Sequence, residues 1–117
     1  MAVSLFLAFV LFAAMGGALL WKPEYLTRLT NVELTTIESR NEVRAVYGGF
    51  GIAMALALLI GAIFSHLYQG VMLTAGLALI GMAAGRGYSA WLETPPMMVW
   101  VFLGLEAVLG VLLFFRI

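Results

Sequence analysis

Apolar residues gather in runs at about residues 3–21, 43–64, 70–88 and 97–115, with polar positions confined to the breaks between them. Each run approaches the ~20 residues that a helix needs to cross ~30 Å of hydrocarbon. None alternates polar and apolar residues as a barrel strand does, and an unpaired backbone amide in lipid costs several kcal/mol, so each run is predicted to be helical. The expected fold is therefore all-α, a four-helix transmembrane bundle forming a single domain over residues 1–117. The first run lacks the basic flank of a signal peptide and is longer than its usual apolar core, so it reads as a retained span.

The breaks differ in length. The polar connection 22–42 opens with Lys22-Pro23-Glu24, which should end the first helix. Thr30-Asn31-Val32-Glu33 has capping-box spacing with Leu29 and Leu34 placed as a hydrophobic staple, while Thr35 to Glu38 and Ser39 to Glu42 repeat the capping pattern. The second helix is expected to start at one of these. Ser65 to Gln69 reads as a short connection, and Pro95-Pro96 should stop one helix and suit the first turn of the next. Trp21-Lys22-Pro23-Glu24 and Trp91-Leu92-Glu93-Thr94-Pro95 also hint at a duplicated two-helix unit.

Small residues mark how the helices are expected to pack. Ala45, Gly49, Ala53, Ala57 and Gly61 recur at every fourth position of the second span, Gly81 and Gly85 repeat the spacing in the third, and Ala13 and Gly17 in the first. Such rows let helix backbones approach closely where lipid removes the hydrophobic drive. Packing within the bundle is the expected use, and an interface with a second copy or a larger membrane complex is the alternative.

Composition sharpens the class. The chain is 64% hydrophobic and 10% charged with no net charge, against about half apolar and a quarter charged in soluble domains. No basic stretch offers a nucleic-acid or polybasic lipid footprint, so membrane lipid is the expected surrounding and nucleic acid is not a partner. Cysteine is absent, which removes disulfides, thiol catalysis and thiolate metal sites. Lys22, Arg28, Arg40, Arg44 and Arg86 fall on one membrane side against Arg116 on the other, so loops 22–42 and 89–96 are expected to be cytoplasmic. Trp21, Tyr25, Tyr88 and Trp91 form an aromatic belt on that side.

One candidate cluster interrupts the apolar pattern. Glu106 lies about ten residues into the fourth span, roughly 15 Å deep at a rise of 1.5 Å per residue. An ionisable group at that depth must be paired, protonated or beside water, and should face the bundle interior. Arg86 is the first choice of partner, with Arg44 or a water closing the remaining distance. Asn41, Glu42, Tyr47 and Tyr88 are the expected rim. Arg40 with Arg44, and Glu38 with Glu42, place like charges four apart, so this helix should seek its partners elsewhere. The cluster either fixes helix register or binds a polar headgroup, a quinone-like ligand or a proton.

Other chemistry finds little support. Gly85-Arg86-Gly87-Tyr88-Ser89-Ala90 spells a dinucleotide fingerprint but lacks the preceding strand. His66 is the single histidine, with no carboxylate nearby to orient it, and reads as an interfacial residue. Met97-Met98 reads as apolar filling. No cofactor and no metal site is expected, and the chain does not read as an enzyme. The expected function is a non-enzymatic accessory or interaction subunit, with a small-molecule binder or transporter using the Arg/Glu cluster as the alternative.

With Arg44-Ala45-Val46-Tyr47-Gly48-Gly49 opening the second span, Gly85-Arg86 late in the third and Glu106 in the fourth, the chain resembles a family of small bacterial four-helix membrane proteins of unknown function. The resemblance implies a bacterial inner membrane and adds no activity.

Overall fold

The computed structural model describes residues 2–117. Its order is α1 (Val3–Trp21), α2 (Glu24–Thr30), α3 (Ile37–Ile63), α4 (Ser65–Leu92) and α5 (Met97–Phe114). All but α2 are long and apolar enough to cross a membrane.

The polar breaks resolve differently from the sequence patterns in three places. Helix α3 is capped by Thr36, whose side chain accepts from the Ser39 amide while the Ser39 hydroxyl accepts from the Thr36 amide. None of the Thr30, Thr35 or Ser39 starts is used. The reason is α2, an extra helix begun by Pro23 and ended at Asn31, which takes a left-handed φ of 61° and consumes the residues that a Thr30 start would need. The turn between α3 and α4 is a single extended residue, Phe64, so Ser65 to Gln69 is the first stretch of α4. No glycine or proline interrupts that stretch before Gly70, and nothing there stops helix propagation.

Within α3, residues Arg44–Gly49 form a π segment, in which the Phe50 amide donates back five residues to the Ala45 carbonyl. This segment coincides with the Arg-Ala-Val-Tyr-Gly-Gly motif. A wider turn there changes which residues face inward. Val43, Gly48, Gly51, Ala55, Leu58 and Gly61 are the buried residues of α3.

The small-residue row Ala45, Gly49, Ala53, Ala57 and Gly61 is therefore not one packing face. Ala45, Gly49 and Ala53 are exposed, Ala57 is half-buried and only Gly61 is enclosed. A strict four-residue spacing advances by about 40° per step on a helix of 3.6 residues per turn, so the row spirals from the outside to the inside. Gly81 and Gly85 likewise have open space where a side chain would stand. Close helix contact uses neighbouring glycines. A Cβ on Gly16 would lie 2.6 Å from the Ile52 amide nitrogen and 2.8 Å from the Gly48 carbonyl oxygen, and one on Gly76 would lie 3.0 Å from the Gly110 carbonyl oxygen. These crossings join α1 to α3 and α4 to α5.

Helix pairs α1/α3, α3/α4 and α4/α5 pack extensively, whereas α1 and α5 meet only lightly. At one end of that seam the Ser4 hydroxyl donates to the Ile117 carbonyl at 2.6 Å, and Leu5, Leu109 and Leu113 fill the core. Toward the other end the seam opens. Helix α2 folds across it, seating Leu26 against Leu19 and Val43, with Tyr25, Leu34 and Tyr47 around them.

Candidate functional site

Glu106 is nine residues past the start of α5, which places it about 14 Å along the helix axis. It is 3% exposed. Arg86 lies six residues before the end of the antiparallel α4, so the two side chains stand at overlapping depth. Arg86 Nε donates to Glu106 Oε1 at 2.5 Å, and the Arg86 guanidinium also lies 5.3 Å from the centre of the Phe102 ring, within cation–π range. The long arginine stem spans the distance without a second cation or a water.

The second oxygen of this carboxylate, Oε2, is buried without a hydrogen-bond partner. Leaving such an acceptor unmet costs on the order of 1–3 kcal/mol, and more for a charged group. Buried acceptors in native proteins nearly always find a partner, whether protein or water.

Arg86, Glu106 and Phe102 share the wall of a cavity of about 490 Å³ in the open α1/α5 seam. The volume falls in the ~300–1,000 Å³ range of small-molecule sites. Helix α1 contributes Leu11, Phe12, Met15, Ala18 and Leu19, and α4 contributes Leu79 and Met82 beside Arg86. Leu105 adds to the α5 wall, and Tyr25, Leu26, Arg28, Leu29 and Thr30 of α2 close one end. Tyr47, from the π segment, brings a phenol to the same wall. An apolar chamber with a few convergent polar groups is the usual composition of a ligand pocket.

The structure thus brings together three of the residues singled out in the sequence, Arg86, Glu106 and Tyr47. It leaves four outside. Arg44, Asn41, Glu42 and Tyr88 are exposed and do not line the cavity. Arg44 is displaced because Val43, Tyr47 and Gly48 take the inward positions around the π segment. His66 is exposed in the first turn of α4, edge-on to Phe64 at 6.1 Å between ring centres. Among the described residues no cluster of His, Cys, Asp or Glu is arranged to hold a metal ion. The α1 and α2 walls had no signal in the sequence, because α1 is apolar all round and α2 is short and follows a proline.

Among the described residues, four membrane-length apolar helices and a part-buried ion pair between α4 and α5 define a polytopic α-helical membrane protein. More particularly, the chain belongs to the family described as Domain of unknown function (DUF4345), whose family model matches residues 1–116. No curated protein and no solved structure matches the chain.

Proposed function

We propose that this protein is a non-enzymatic membrane protein that holds a small amphiphile in the cavity between α1, α2 and α5, against the Arg86–Glu106 pair. The observation carrying this reading is the buried, unpartnered Glu106 oxygen on a residue that lines an apolar chamber of ligand size. A pair that served helix register alone would gain from satisfying both carboxylate oxygens and from close packing around them. The chamber instead leaves space beside the pair.

Purification from native membranes, followed by extraction and identification of small molecules, tests this reading. One reproducible species is expected with the wild-type protein and is expected to be depleted from Ala18→Trp, which fills the chamber. Equal recovery of ordinary bilayer lipid from both proteins would contradict it.

A second reading, an accessory subunit docking on a partner helix, is supported by the exposed small residues Ala45, Gly49 and Ala53 on α3. It predicts an oligomer or complex that Ala53→Leu dissociates. An assembly unchanged by that substitution would remove the support. We place the protein in a bacterial cytoplasmic membrane, with residues 22–42 and 89–96 toward the cytoplasm. Arg86 is taken up by its ion pair, and the exposed Lys22, Arg28 and Arg44, with the half-buried Arg40, still outnumber Arg116.

A further inference from the structure

We infer that the cavity takes an uncharged amphiphile whose polar end carries an O–H donor, of the long-chain or isoprenoid alcohol class, in preference to an ether or an anionic lipid; the inference rests on the binding reading above. In the ion pair the Glu106 carboxylate is an acceptor only. Oε1 receives the Arg86 Nε–H, and Oε2 receives nothing. A hydroxyl supplies the missing donor. Its own oxygen can accept from an Nη group of Arg86, whose hydrogen bond to Glu106 uses Nε, one of the five N–H donors of a guanidinium. An ether or a simple ester offers acceptors alone and leaves Oε2 unmet.

Charge points the same way. Arg86 and Glu106 cancel, so an uncharged guest adds no net charge to an apolar chamber, whereas a phosphate or a carboxylate adds one beside an existing carboxylate. Among the described residues, Arg28 is the one other cation on the cavity wall. It is exposed, with its guanidinium 5.4 Å from the Tyr25 ring centre, and an exposed cation gains little from an anion in water. Oε2 is itself buried, so a hydroxyl meets it only when the carboxylate turns about its last torsion, a soft rotation that carries Oε1 with it and leaves Arg86 to follow with another of its N–H donors.

The test uses the full chain in phosphatidylcholine nanodiscs with farnesol, farnesyl methyl ether and farnesyl phosphate, each at equal mole fraction, read by native mass spectrometry. Wild-type protein is expected to retain farnesol over the ether by about tenfold or more, as one recovered hydrogen bond to a charged acceptor implies. In Glu106→Gln the amide places a donor where Oε2 stands, and alcohol and ether can both accept from it. The preference should then vanish while binding persists. Equal retention of farnesol and ether by wild type, with both lost in Ala18→Trp, would overturn the donor requirement and leave the binding reading standing. Farnesyl phosphate held most tightly, and released by Arg28→Gln, would overturn the uncharged class. Retention of none of the three by wild type would overturn both.

Discussion

Glu106 is tolerable at its depth because Arg86 stays beside it. Removing one partner of a buried pair leaves an uncompensated charge, while replacing both with apolar groups of similar size is often neutral. Because Arg86 is only part-buried, Arg86→Ala is expected to destabilise the bundle by up to about 3 kcal/mol in detergent unfolding, and Arg86→Met combined with Glu106→Leu to restore most of that loss. A double variant as unstable as the single one would contradict the pairing. Both residues were legible in the sequence, since each is a lone charge in an apolar helix and their helices run antiparallel from a shared connection. Arg44 faces outward against the sequence expectation because its direction depends on the π segment, whose wider turn no propensity scale marks. The unmet Oε2 was not legible, because it depends on which oxygen the arginine takes.

Helix existence followed from hydropathy, but helix contact followed from backbone proximity. Rows of small residues attract notice by spacing, yet a four-residue spacing drifts around a helix, and the close crossings fall on Gly16, Gly48 and Gly51, and on Gly76 and Gly110. Gly16 and Gly17 make the contrast measurable. A Cβ on Gly16 meets backbone atoms that cannot give way, whereas one on Gly17 meets nothing within 4 Å. Gly16→Ala is expected to cost about 1–3 kcal/mol. Gly17→Ala should be neutral or stabilise by up to ~1 kcal/mol, since alanine is the better helix former. Equal effects in unfolding titrations would show that α1 does not cross α3 at Gly16. Helix α2 has no signature in the sequence because a seven-residue segment carries too little pattern, and it holds its place by burying Pro23 and Leu26.

Taken whole, the molecule is a bundle with three close helix pairs and one open seam. Ser4 and Ile117 hold that seam together at one end, and α2 covers the chamber toward the other. Hydropathy reveals the number of spans but not which pair stands apart, because α1 is apolar nearly all round and so is α5, apart from Glu106. The cysteine-free chain makes its orientation directly measurable: Glu33→Cys should react with an impermeant maleimide from the cytoplasmic side alone, and Gln69→Cys from the opposite side alone. The reverse pattern would invert the topology and leave the seam unchanged. The seam is proposed to hold one small molecule against Arg86 and Glu106. The most direct test is native mass spectrometry of the protein released from discs of its own membrane lipid, comparing wild type with Ala18→Trp and with Leu77→Trp, which alters an exposed apolar position of α4. A single one-to-one adduct is predicted in wild type and Leu77→Trp and should be lost from Ala18→Trp; the same adducts in all three, or none in any, would contradict it.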